Sequence, residues 1–184
     1  MAIEELIQLA KNGDRQSLHE LIERHIMIVE RFAFQIGVSA NDVEDVTQEV
    51  FIRVYRFLEQ YTGKTFTTWL YKITLNVARD HFKKIKRQHT KEQLLLHHQQ
   101  LSEEHVESTI FSREEDAALH RLILQLDEKY KFPLVLFYFH DKKIEEIAMI
   151  LSLPVSTVKT RLVRARAKLK KQLQTIGGET NATR

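Results

Sequence analysis

Apolar residues return at helical spacing along nearly the whole chain. Leu18, Leu21 and Ile22, followed by Ile28, Val29 and Phe32, predict either an early pair of helices or one long one. Val43, Val46, Val50 and Val54 form a stripe that predicts a helix, and Phe66, Leu70, Ile73 and Val77 repeat it. Gly37 with Ser39 and Asn41, and then Tyr61-Thr62-Gly63, supply breaks and caps between these stretches. Helical spacing resumes at Ala118, Leu122 and Leu126, continues through Leu134 to Phe139 and through Ile144, Ile147, Ala148 and Leu151, and ends with Val158, Leu162, Ala165 and Leu169. The run LVLFYF also suits a strand, but no second strand lies nearby to pair with it, so a helix is expected.

The stretch from 85 to 112 loses this periodicity and is rich in Gln, His, Glu and Ser, so it reads as a partly helical or flexible tether or as another surface helix. The expected fold is all-α: a helical domain over 1–86, a linker over 87–112, a second helical domain over 113–176 and a tail over 177–184.

Composition narrows the chemistry. The 184 residues contain no cysteine, which excludes disulfides, thiol catalysis and cysteine-held metals, and only five glycines. Neither GxGxxG nor GxxxxGK[ST] occurs, so phosphate-loop enzymes are not expected. No apolar run approaches the roughly 20 residues of a membrane span. The opening MAIEELIQLAKNGDR is acidic and amphipathic, unlike a signal peptide. An intracellular protein without stable membrane insertion is expected.

Charge is unevenly placed. Residues 1–84 carry 11 basic and 12 acidic side chains and 85–153 carry 9 and 12, whereas 154–184 carry 8 and 1. Ile144 to Lys171 reads as a helix, a turn at Ser152-Leu153-Pro154 and a second helix, the helix-turn-helix arrangement. With Val158, Leu162, Ala165 and Leu169 buried, Lys159, Thr160, Val163 and Arg164 turn outward as donors around one apolar member, a mix suited to base edges and thymine methyls. Arg161, Arg166, Lys168, Lys170 and Lys171 surround them and suit phosphates, and Ser156 and Thr157 stand at the start of the same helix. A basic amphipathic helix also fits an anionic membrane surface, although a membrane anchor does not need the preceding helix and tight turn.

Two faces of the first domain need a further account. Asp42, Asp45 and Glu49 each precede a valine of the stripe by one position, forming an acidic ridge with Gln48 beside it; such a ridge repels DNA and suits a basic protein surface, or serves solubility alone. Trp69, Lys72, Asn76, Arg79 and Lys83 share another face, with an aromatic for stacking, an amide for a base edge and cations for phosphates. The alternative is a core tryptophan with a solvated basic rim.

The segments DVEDVTQEVFIRVYR, FTTWLYKITLNVARD and LDEKYKFPLVLFYF…IEEIAMILSLPVSTVKTRLVRARAKLKKQL, in this order, resemble the extracytoplasmic-function (ECF, group 4) sigma factors of the sigma-70 family over about residues 1–175. The resemblance implies a bacterial promoter-specificity subunit, often serving a stress response, with a region 2 bundle and a region 4 helix-turn-helix. It implies that Asp45, Gln48 and Glu49, with Phe51 nearby, dock on the clamp helices of the largest RNA polymerase subunit. Residues 62–84 would open minus-10 DNA, with Trp69 and Asn76 on family positions, while the loop from Tyr61 through Lys64 to Phe66 would capture a flipped base. Lys159, Thr160, Val163 and Arg164 fall on minus-35-reading positions. The implied partners are core RNA polymerase, through its clamp helices and flap, promoter DNA, and an anti-sigma factor that is often membrane-anchored; the implied site of action is the cytoplasm.

The sequence departs from the family at Phe132-Pro133 and at Asp141-Lys142-Lys143, which stands where Gly-Leu-Ser-Tyr is usual. The extra C-terminal domains of some subgroups are not expected. A stand-alone helix-turn-helix regulator is the alternative; it predicts a palindromic operator and leaves the acidic ridge and the Trp69 face without work. A metal enzyme built on His97, His98, His105 or His120 lacks any HExxH-like spacing. No catalysis, metal or cofactor is expected.

Overall fold

The structure, a computed structural model, describes residues 1–63, 65–95 and 114–181. All regular structure among them is helical. Helices α1 (Ile3–Lys11), α2 (Arg15–Glu23), α3 (Ile26–Gln35, its last residue apart), α4 (Val43–Phe57) and α5 (Phe66–Leu95) belong to one compact unit, while α6 (Glu114–Leu124), α7 (Glu128–Tyr138), α8 (Ile144–Leu151) and α9 (Val155–Asn181) belong to a second. The early apolar positions resolve into the pair α2 and α3, and the acidic amphipathic opening is α1.

Local chemistry sets the boundaries in the first unit. Gly13 ends α1 at φ 89°, with its N–H bonded to the Ala10 carbonyl and the Asp14 N–H bonded to Leu9, the paired bonds of a Schellman turn. Asp14 then caps α2, its carboxylate accepting from the Ser17 N–H at 2.8 Å. The Ser17 side chain first, and then this backbone bond, hold the Asp14 carboxyl below its usual range. The valine stripe of α4 and the Phe66, Leu70, Ile73, Val77 stripe of α5 are buried, and α4 packs on α5. Each such side chain removed from water stabilises the unit by about 1.5–3 kcal/mol before ordering costs. Helix α5 continues to Leu95, into the stretch read as a tether, because residues 84–90 hold no glycine or proline and the Thr90 hydroxyl bonds back to the Lys86 carbonyl at 2.8 Å. The remainder of that stretch lies outside the described residues.

In the second unit LVLFYF is helical. Phe132 through Leu136 are buried without interruption, so the middle of α7 is apolar all round and carries no 3.6-residue stripe, which is why its sequence also suited a strand. Pro133 sits in the second turn of α7, after Asp127 has closed the first by accepting from the Tyr130 and Lys131 N–H groups. The turn between α8 and α9 depends on Ser152 in the left-handed region (φ 54°, ψ 49°), with the Leu153 N–H bonded to Ala148 at 2.9 Å. Pro154 follows, where no N–H is needed, and its carbonyl accepts from Val158. Helices α7 and α8 both pack on α9, burying Val158, Leu162 and Ala165.

Candidate nucleic-acid interface

Burying one stripe of α9 forces the other faces outward. Lys159, Thr160, Arg164, Arg166 and Ser156 are exposed, Arg161 and Thr157 are half-buried, and Val163 is 62% exposed among them. A shallow cleft of about 390 Å³ runs between the starts of α7 and α9, lined by Lys129, Tyr130, Ser156, Thr157, Thr160, Arg161 and Arg164. Cations elsewhere on α9 are partly pre-positioned: Lys168 stands 5.4 Å from the centre of the Tyr130 ring, and the Arg166 guanidinium 5.8 Å from that of Tyr138. Lys170 and Lys171 extend the basic surface along the helix. Val158, Leu162 and Ala165 of α9 are spent on α7 and α8 and are not available to lipid. Among the described residues no helix is long and apolar enough to cross a membrane.

On α5, Lys72, Asn76 and Lys83 are exposed, and Trp69 and Arg79 are half-buried. Trp69 belongs to an aromatic shelf, its ring 4.9 Å from Tyr61 and 5.7 Å from Phe66, with His25 edge-on to Phe66 at 5.1 Å. Tyr61 and Phe66 are only 8% and 4% exposed, so they support this shelf more than they present an open surface. Lys11 reaches across from α1 and donates to the Tyr61 carbonyl at 2.5 Å, its ammonium 5.7 Å from the centre of the Tyr61 ring. Burial, together with the nearby Glu4 charge, pushes the Tyr61 phenol up. Lys64 lies outside the described residues.

The acidic ridge on α4 is partly engaged within the chain. Asp42 accepts from the Ser39 hydroxyl at 2.5 Å and faces His81 at 3.5 Å. Glu49 pairs with Arg53 at 2.8 Å, and Arg53 also reaches Asp80 on α5 at 3.0 Å, tying the ridge to the basic helix. These partners, Glu49 first, hold the Arg53 guanidinium above its usual pKa. Asp45 and Gln48 are exposed. Phe51, expected near the docking surface, is instead 8% exposed and belongs to the core, because the buried face of α4 widens beyond the valines. Sequence reasoning missed Ile52 and Tyr55, which are 50% and 66% exposed and fall at i+7 and i+10 from Asp45 on the same face as Gln48. An exposed apolar pair beside acids was legible as spacing, but it was hidden behind the stronger valine stripe.

Among the described residues no group of three or more histidines or carboxylates could hold a metal. His120 is buried in α6, and His97, His98 and His105 lie outside the described residues.

Comparison with known proteins matches residues 21–88 to the family model described as Sigma-70 region 2 and residues 116–169 to that described as Sigma-70, region 4. The chain is 30% identical over 183 residues to the ECF RNA polymerase sigma factor SigW of Bacillus subtilis, covering 95% of this chain and 98% of that one. It is 29% identical over 180 residues to the RNA polymerase sigma-H factor of Pseudomonas aeruginosa, covering 93% of each. Its fold is similar to that of CnrH, solved in complex with the cytosolic domain of CnrY (TM-score 0.69, 26% identity, 92% of this chain and 96% of that one). It is also similar in fold to the sigma factor RpoE of Bartonella quintana, solved with the anti-sigma factor NepR (TM-score 0.67, 16% identity, 85% of this chain and 96% of that one).

Proposed function

Since the chain belongs to the ECF sigma factors of the sigma-70 family and acts in transcription initiation, we propose that its three surfaces divide that work. The outward face of α9 reads minus-35 duplex: Lys159, Thr160 and Arg164 meet base edges, Val163 packs on thymine methyls, and Arg161, Arg166, Ser156 and Thr157 hold phosphates. The observation that carries this is the exposed Val163 set among cations on a helix whose Val158, Leu162 and Ala165 are buried. Non-specific phosphate binding needs charge alone, whereas an apolar side chain held out in a basic patch gains only where it meets an apolar group on the DNA.

The α5 face opens minus-10 DNA. Trp69, propped by Tyr61 and Phe66, offers a stacking surface to an unpaired base, Asn76 a donor and acceptor, and Lys72, Arg79 and Lys83 charge for the separated strand. The loop 61–66 captures a flipped base.

Asp45, Gln48, Ile52 and Tyr55, flanked by Glu49 and Asp42, dock on the clamp helices of the largest polymerase subunit: the exposed apolar pair supplies burial and the carboxylates select a basic partner. The second unit engages the flap. The chain carries out no catalysis itself and works in the cytoplasm. An anti-sigma factor holds it inactive, as the complexes of CnrH and of the Bartonella protein support by analogy.

The test of this division is co-elution with purified core polymerase in gel filtration. Wild type is expected to elute with core, and Asp45→Arg combined with Tyr55→Ala to lose the complex while still binding minus-35 duplex. Equal co-elution of the double variant would overturn the docking assignment.

A further inference from the structure

A pocket of about 320 Å³ opens between α1 and the loop that follows α4, at the small end of the roughly 300–1,000 Å³ usual for ligand sites. The loop supplies Tyr61, Gly63 and Phe66. Opposite them, Glu4, Ile7, Gln8 and Lys11 fall at i, i+3, i+4 and i+7 along one face of α1, a helix outside the matched region 2 residues 21–88. Ile7 is buried and forms floor, and Lys11 is committed to the Tyr61 carbonyl, holding the two walls together. The exposed carboxylate of Glu4 and amide of Gln8, one turn apart, face whatever enters, with the exposed Thr62 on the loop opposite.

We propose that α1 reads the captured base: Glu4 and Gln8 contact its hydrogen-bonding edge and select a base with an exocyclic amine over thymine. This rests on the reading of loop 61–66 as the base-capturing element. The chemistry follows from what each group can do. A carboxylate only accepts, so it requires an N–H on the base. Adenine, cytosine and guanine present an amine there, and the Gln8 amide turns to suit the neighbouring ring nitrogen or oxygen. Thymine offers a single N–H flanked by two carbonyl oxygens, both repelled by Glu4. Tyr61 and Phe66 back the pocket as largely buried rings, so the choice among bases falls to the exposed polar groups of α1.

The test uses the full chain bound to core polymerase and a randomised pool of single-stranded oligonucleotides, with the retained strands sequenced. Wild type is expected to disfavour thymine at one position on the order of tenfold, the cost of a poor edge match. Glu4→Gln should admit thymine at that position alone, and Gln8→Ala should flatten preference there, with unchanged unfolding temperatures because both side chains are exposed. If both variants keep the wild-type preference while Tyr61→Ala erases it, the pocket reads the base without α1 and the proposal fails. If none of the three alters any single position, the base-capture reading fails as well. A wild-type preference for thymine also overturns the proposal.

Discussion

Truncating Val163 to alanine isolates base reading from charge. At 62% exposure the side chain is mostly free to be covered by DNA. Full burial of a valine is worth about 1.5–3 kcal/mol, or about 0.8 kcal/mol per buried methylene. Removing two methyls that are about 60% available therefore costs about 1 kcal/mol, roughly a fivefold weaker complex. The assay is binding to the minus-35 duplex selected by the wild-type chain, measured across a salt series and repeated with uracil replacing each thymine. Wild type should lose up to about fourfold, about 0.8 kcal/mol for one methyl, on the thymine whose methyl Val163 covers, whereas Val163→Ala should be indifferent to that replacement. The salt slope should not change, since no phosphate contact is lost, whereas Arg166→Gln should flatten it by removing one. Equal sensitivity of both proteins to the uracil replacement would refute the reasoning, as would a Val163→Ala loss that vanishes at high salt.

Arg53→Gln removes two ion pairs whose partners are 28–53% exposed, each worth about 0.2–1 kcal/mol; thermal unfolding should shift down by a few degrees at low salt and by almost nothing near 1 M salt. An alanine at Gly63 would place its Cβ 2.8 Å from the Tyr61 ring, so the ring must move; Trp69 fluorescence should change and single-strand binding should weaken, with little change in unfolding temperature. Burial holds the His25 pKa below its ordinary 6.5, against a smaller opposing contribution from the bond its Nδ1–H donates to the Leu21 carbonyl at 2.7 Å. Stability should therefore be full above the unfolded value and fall as pH drops through it, levelling below the folded pKa, because the unfolded chain takes the proton first. Unfolding temperatures of His25→Gln measured from about pH 8 to about pH 5 should show a flatter dependence than wild type.

The stripes that position the site were legible because each is a single apolar face with period 3.6. Val46, Val50 and Val54, and later Val158, Leu162 and Ala165, read as core and are core. Where burial is not confined to a stripe, the pattern misled or fell silent. Phe51 widens the buried face of α4, the core of α7 spans five consecutive residues, and Ala118 faces solvent while His120 is buried. Long-range placements were also beyond reach. Nothing local says that Lys11 will meet the Tyr61 carbonyl fifty residues away, or that Arg53 will bridge Glu49 to Asp80. The tryptophan left open between core and interface is half-buried, because its neighbours Tyr61 and Phe66 fill the space beneath it.

The central claim is that these surfaces act together on a promoter only within the polymerase. Its most direct test is transcription in vitro from a genomic template library with purified core polymerase, with and without the chain. The account predicts discrete transcripts that require the chain, share upstream elements, and disappear when Lys159 and Arg164 are both replaced by alanine. Absence of any chain-dependent transcript, together with tight binding of the chain alone to a palindromic duplex, would contradict it and favour an independent helix-turn-helix regulator.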